Sequence, residues 1–155
     1  MCSHHSDTFA GGAAPGGNEC IVHASCVAFS GRAVLIRGPS GSGKSSLALQ
    51  MMALGGELVA DDRTRLIRSG TRLIAKAPQR IRGMIEARGL GLLGADTVSE
   101  APVRLVVDLA HLEAGRLPPR KETEILGLCL PLLHKVESPA FPAALIQYLK
   151  GGRKK

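Results

Sequence analysis

Apolar positions in this chain fall mostly in short unbroken runs rather than in helical stripes. Ala33-Val34-Leu35-Ile36 and Leu58-Val59-Ala60 have no polar alternation, and residues 103–109 centre on Leu105-Val106-Val107. Such runs are expected of strands buried on both faces. Residues 21–29 read as a further strand. The turn signal Ser30-Gly31-Arg32 separates it from 33–36, so the two predict a hairpin. Residues 46–54 predict a helix, stopped by Gly55-Gly56. Residues 57–60 predict a second buried strand, ending in Asp61-Asp62. Residues 64–67 and 72–76 predict a hairpin turning at Ser69-Gly70-Thr71. Residues 85–93 are Gly-rich and read as irregular. Residues 139–150 predict a final helix started by Pro142, followed by a basic tail over 151–155. Residues 1–19, with Gly11, Gly12, Gly16 and Gly17 around Pro15, read as a flexible tail. One domain is expected over 20–150, and no internal repeat is present.

This order of elements predicts an α/β domain with a mixed sheet. The helical crossovers are few, so a compact arrangement is expected. The chain of 155 residues is long enough for a real core, and 45% hydrophobic content with one Tyr and no Trp makes that core aliphatic.

The connection between the strand at 33–36 and the helix at 46–54 carries the clearest chemistry. Gly38-Pro39-Ser40-Gly41-Ser42-Gly43-Lys44-Ser45 fits G-x-x-x-x-G-K-[ST] in the strand–loop–helix context that the motif requires. Its glycines let backbone N–H groups turn inward on phosphate oxygens, and the helix N-terminus faces the same anion. Lys44 is expected to reach the β- and γ-phosphates, and the Ser45 hydroxyl to ligate Mg²⁺.

Asp61-Asp62 closes an apolar strand, where a carboxylate can hold Mg²⁺ directly or through water. A second carboxylate beside it suits a general base for a hydroxyl proton. An acidic solvated turn is the alternative. Between Arg63 and Arg88, Glu86 is the only acid among Arg63, Arg65, Arg68, Arg72, Lys76, Arg80, Arg82 and Arg88. This run reads either as a solvated face or as an anion-recognition surface. Glu86 itself reads as a metal ligand beside a phosphate-facing Arg88, or as half of a surface ion pair. His23, inside an apolar run, reads on its own as a buried hydrogen-bonded residue. His111 and His134 have no supporting constellation, His4 and His5 sit in the Gly/Ala-rich leader, and Arg116 lies in a loop after the 103–109 strand.

Composition narrows the partners. The net charge of +7 favours an anionic ligand or surface. Aromatic content of 3% leaves few platforms for stacking bases, so nucleic acid is not the expected partner. Cys2, Cys20, Cys26 and Cys129 form no metal-binding spacing and read as reduced thiols in a cytoplasmic protein. No apolar run is long enough to span a membrane, and the leader lacks the apolar region of a signal peptide.

Taken together, Val22-His23, the loop Gly38 to Ser45, Leu58-Val59-Ala60-Asp61-Asp62 and Ile85-Glu86-Ala87-Arg88-Gly89-Leu90-Gly91 resemble the catalytic domain of bacterial HPr kinase/phosphorylase. The resemblance covers about residues 21–150. The loop motif is shared widely, whereas its combination with L-V-A-D-D and I-E-x-R-G-L-G is specific to that family. The resemblance implies a P-loop variant related to phosphoenolpyruvate carboxykinase, assembled as a hexamer. It implies phosphorylation of a serine of HPr, the phosphocarrier of the phosphotransferase system, with ATP and Mg²⁺, and phosphorolysis of phospho-HPr to pyrophosphate. By position, Lys44 holds the β/γ-phosphates, Ser45 binds Mg²⁺ and Glu86 is the second metal-site carboxylate. Asp62 matches the acid/base that takes the serine proton, with Asp61 beside it as a metal-side carboxylate. His23 matches the family's active-site histidine and Arg116 its active-site arginine.

Two departures stand out. The full-length family has an additional N-terminal domain, and only a short tail precedes His23 here, as in the short form of some proteobacteria. Where the family has Arg-Pro-Gly-Arg-Asn, tied to dephosphorylation, this chain has Val136-Glu137-Ser138-Pro139-Ala140-Phe141-Pro142, without arginine. The kinase half of the chemistry therefore keeps its parts more fully than the phosphorolysis half. Two other readings stay open from the residues: a small-molecule P-loop kinase or NTPase, and a nucleotide-sensing module without turnover.

Overall fold

Strand β4 (Arg32–Arg37) is buried on both faces from Ala33 onward and is the axis of the fold. In the computed structural model, which describes residues 6–8, 17–78 and 83–155, β4 pairs antiparallel with β3 (Ala24–Phe29) and parallel with β10 (Glu100–Leu112). Outward from there, β12 (Leu128–Lys135) runs parallel to β10, and β11 (Lys121–Ile125) antiparallel to β12. β5 (Glu57–Ala60) closes the other edge against β3. The sheet is therefore mixed, as expected.

A second strand layer covers one face. β2 (Glu19–Val22), β6 (Thr64–Ser69) and β7 (Arg72–Lys76) pair antiparallel, and β7 joins the first residues of the long β10. Alternate residues of the main strands divide between two cores. Ala33 and Leu35 of β4 pack with Leu66, Leu73 and Val106 beneath this layer. Val34 and Ile36 pack on the opposite face with helices α1 (Lys44–Ala53) and α2 (Phe141–Gly151), through Leu47, Met51, Phe141 and Leu145. This two-sided burial is why the strand sequences carry no polar alternation.

The predicted hairpins form as two-residue turns. Phe29 pairs with Arg32 across Ser30-Gly31, both with positive φ, the mirror-image turn whose twist matches the strands. Ser69 pairs with Arg72 across Gly70-Thr71. The strand expected over 21–29 is in fact two, β2 and β3, broken at His23, because the chain passes there from one layer to the other. Residues 85–93 are not irregular: β8 (Met84–Ala87) and β9 (Gly91–Gly94) form a hairpin around Arg88-Gly89-Leu90.

The β11–β12 hairpin was not anticipated from the sequence. Its turn is Leu126-Gly127, with Leu126 at φ 50°, and a leucine carries no turn signal. Within the stretch expected to be a tail, β1 (Ser6–Thr8) pairs parallel with β11. Cys20 and Cys26 are free and buried, and burial pushes the Cys26 thiol well above its ordinary value. Cys129 is disulfide-bonded, which departs from the expectation of reduced thiols throughout; Cys2, His4 and His5 lie outside the described residues.

At the carboxyl ends of β10 and β12, His111 and His134 face each other with ring centroids 5.1 Å apart. Burial lowers the His134 pKa, with Lys121 and His111 adding to the effect and Glu113 and Asp108 opposing it. The unfolded chain thus binds this proton more readily, so the contribution is intact above the unfolded imidazole value, about 6.5, and is lost as pH falls below it. Thermal melts of His134→Gln between pH 8 and roughly 5 are expected to show a smaller loss of stability on acidification than the parent chain.

Candidate functional site

Four connections meet at one cleft, of about 450 Å³. The loop after β4 contributes Ser40, Gly41, Gly43, Lys44 and Ser45. The β2–β3 junction contributes His23, the β5–β6 connection Asp62, and the β8–β9 hairpin Glu86 and Arg88. The cleft lies at the carboxyl end of β4, where open α/β sheets hold their ligands.

The loop is built for a closely approaching anion. Ser42 N–H donates to the Pro39 carbonyl at 3.1 Å with Gly41 at φ 80°, the left-handed third position of a tight turn. Gly43, at φ 100°, starts α1 without any side-chain cap, so the first N–H groups of the helix keep free donor capacity. A Cβ on Gly38 would sit 2.6 Å from Ser42 Oγ and 3.2 Å from Leu109 Cβ. Lys44 is 7% exposed, and its ammonium donates to the carbonyls of Gly38 at 2.9 Å and Pro39 at 3.1 Å, holding it over the loop. Among the described residues, Ser42 Oγ is a buried side-chain oxygen with no hydrogen-bond partner. An uncapped helix, an orphaned hydroxyl and a lysine folded over the loop fit a phosphate group.

The two adjacent aspartates are differently disposed. Asp61 is buried and does not line the cleft. Its Oδ1 accepts from Ser25 Oγ at 2.8 Å and Ser45 Oγ at 2.7 Å, and its Oδ2 from the Glu86 N–H at 3.0 Å. With its proton directed to Asp61, the Ser45 oxygen keeps lone pairs for a cation. Among the described residues no three His, Cys, Asp or Glu groups converge on one point. That donor set fits a Mg²⁺ ion shared with phosphate oxygens and water rather than an all-protein cage.

Asp62 is exposed and projects into the cleft. The Arg63 N–H donates to the Asp61 carbonyl at 2.7 Å with Asp62 at φ 65°, a γ-turn of the rarer, strained kind. The strand ends here, so the two carboxylates need not alternate between sheet faces. His23 Nε2 lies 3.4 Å from Asp62 Oδ1, both side chains more than half exposed. The reading of His23 as a buried core residue is therefore corrected: it turns outward between buried Val22 and Ala24. Thr64 Oγ1 donates to the Ala24 carbonyl at 2.8 Å and ties down the next residue.

The structure does not bring Arg116 to this cleft; it is exposed in the loop between β10 and β11. Three members of the basic run after Asp62 are engaged in pairing. Arg65 reaches Glu19, Lys76 reaches Glu100, and Arg68 donates to the Leu126 and Gly70 carbonyls. Arg88 lines the cleft, and Arg80 and Arg82 lie outside the described residues. Ser25 escaped notice in the sequence; its only signal is a hydroxyl in an otherwise apolar strand.

The fold and the cleft together define a P-loop kinase-like α/β domain. A family model described as the HPr serine kinase C-terminal domain matches residues 17–130, and the chain belongs to that family. It is 34% identical over 133 residues to the HPr kinase/phosphorylase of Chloroherpeton thalassium, covering 77% of this chain and 38% of that protein. It is 36% identical over 122 residues to the HPr kinase/phosphorylase of Burkholderia lata, covering 71% and 38%. The chain thus spans a little over a third of the length of these relatives. Its fold matches the HPr(Ser) kinase/phosphatase structure from Coxiella burnetii with a TM-score of 0.71 at 24% identity, over 84% of this chain and 93% of that one.

Gly38→Ala is expected to weaken binding of a triphosphate ligand at least about tenfold, since Cβ meets both Ser42 and Leu109 at a left-handed φ. Gly41→Ala, with open space around its Cβ, is expected to cost less. Calorimetric titration of both variants checks the order.

Proposed function

We propose that this chain transfers the γ-phosphoryl group of ATP to a serine hydroxyl of HPr, with Mg²⁺, in the cytoplasm. The observation that carries this reading is the shared cleft: Asp62, paired with His23, faces the same space as Lys44 and Ser45. A nucleotide sensor needs the loop but has no use for a carboxylate projected on a strained turn. Membership of the HPr kinase family supports the choice of a protein serine as acceptor.

In this reading the loop N–H groups and Lys44 hold the β- and γ-phosphates, and Ser45 and Glu86 hold Mg²⁺. Asp61 fixes the Ser45 hydroxyl and would add negative charge behind the ion. Mg²⁺ held there would supply positive charge to offset that of the phosphates. Asp62 accepts the serine proton as the serine oxygen bonds to the γ-phosphorus and the bond to the β-phosphate oxygen breaks, releasing ADP. His23 orients the Asp62 carboxylate. Positioning and charge neutralisation account for most of the acceleration, since phosphoryl transfer asks little covalent chemistry of the protein. Phosphorolysis uses the same groups in reverse: inorganic phosphate attacks the phosphoserine phosphorus, the bond to the serine oxygen breaks as Asp62 returns a proton to it, and pyrophosphate is the product. Val136 to Pro142 offers that reaction no arginine.

Mass spectrometry of HPr incubated with the chain, ATP and Mg²⁺ tests the reading: a gain of one phosphate on serine is expected, and phosphate release with unmodified HPr refutes it. Asp62→Asn is expected to bind ATP normally and to lose transfer by about 10²-fold or more. Lys44→Ala is expected to weaken both binding and transfer.

A further inference from the structure

Ser25 is fully buried on β3, in a strand whose other inward positions are apolar. Its hydroxyl stands between the two aspartates. Ser25 Oγ donates to Asp61 Oδ1 at 2.8 Å, and the same oxygen accepts the Asp62 N–H at 3.3 Å. A hydroxyl can do both at once, with one proton to give and lone pairs to receive. Asp61 Oδ1 also takes the Ser45 hydroxyl, so one chain of contacts runs from Ser45 through Asp61 and Ser25 to the Asp62 backbone.

Asp62 has reason to need such a restraint. Its left-handed φ and the close Arg63 N–H to Asp61 carbonyl contact put it in a conformation that persists only when its surroundings hold it. Among the described residues the side chain meets exposed His23 at 3.4 Å, a weak restraint between two solvated groups. Ser25 is buried, and it grips the turn from the core side.

We propose that Ser25 is a positioning residue, which couples the carboxylate behind the metal-side serine to the backbone turn presenting Asp62. It does not line the cleft. Through Asp61 it sets the Ser45 hydroxyl, and through the Asp62 amide it sets the direction in which the second carboxylate points. Changing Ser25 therefore alters the placement of Asp62 far more than the binding of nucleotide, because Asp61 retains the Ser45 hydroxyl and the Glu86 N–H. The kinetic part of this inference rests on the proposed HPr kinase reaction; the structural link does not.

The test compares the parent chain with Ser25→Ala, Ser25→Thr and Ser25→Cys, in two measurements. Amide hydrogen exchange at Asp62, without ligand, is expected to speed up about tenfold or more in Ser25→Ala and to stay near the parent in Ser25→Thr, which keeps the hydroxyl. With HPr, ATP and Mg²⁺, kcat is expected to fall about tenfold or more in Ser25→Ala while KM for ATP changes less than about threefold, with Thr restoring kcat. Ser25→Cys, of similar size but a weaker hydrogen-bonding group, is expected to fall between, and keeps the test readable should the alanine variant not fold. Unchanged Asp62 exchange, or a kcat loss matched by lost ATP affinity and not restored by Thr, overturns the proposal. If the parent chain does not phosphorylate HPr, the proposed function fails, and the exchange measurement still decides whether Ser25 holds the turn.

Discussion

The carboxylate of Asp61 is the contact on which the arrangement of the cleft depends. It is buried, and each oxygen is used: two hydroxyls on Oδ1 and a backbone N–H on Oδ2. Those three donors come from β3, α1 and β8, and Asp61 itself follows β5. One side chain thus ties together the strand that leads from His23, the helix that opens with Lys44, and the hairpin that carries Glu86 and Arg88. A buried carboxylate is tolerable only when donors of this kind replace water. Satisfying these donors therefore holds β3, α1 and β8 at fixed places around the cleft.

The sheet supplies the second constraint. Parallel pairing of β4, β10 and β12 brings Arg37, Asp108 and His134 into one row at the carboxyl edge. Arg37 Nε donates to Asp108 Oδ2 at 3.2 Å and its Nη1 to Thr123 Oγ1 at 3.2 Å, both residues being buried. Asp108 Oδ1 also takes the Ala110 N–H at 2.8 Å. A buried charge pair adds little net stability against an apolar replacement, but losing one partner strands the other. Its effect here is positional: it anchors the last residue of β4, immediately before Gly38, to the neighbouring strands. The loop from Gly38 to Ser45 therefore leaves a fixed point.

How far the chain could be read depended on whether local residues carried the signal. The loop from Gly38 to Ser45, the Ser30-Gly31 turn and the strand at 57–60 were legible because each is set by its own glycines or its own apolar run. The β11–β12 hairpin was not, since Leu126 takes a left-handed conformation that its sequence does not announce and that packing against the second-layer core holds. The β8–β9 hairpin was hidden by glycines, which normally signal loops. In the proposed site, Arg116 was placed by resemblance alone and lies away from the cleft. Ser25 was passed over because a serine in a strand differs from its neighbours by a single atom's chemistry.

By itself, the sequence determined the α/β class, the glycine-rich loop from Gly38 to Ser45 and the carboxylate pair after the second buried strand, because spacing along the chain specifies each of them. Tertiary structure alone decided what each carboxylate faces. Asp61 and Asp62 are neighbours of identical chemistry, and only the end of β5, the γ-turn and the Ser25 hydroxyl send one into the core and the other into the cleft. Likewise, His23 reads from its neighbours as a core residue. It becomes part of the cleft because the chain changes layers there, a consequence of pairing β2 with β6 and β3 with β4 that no local pattern encodes.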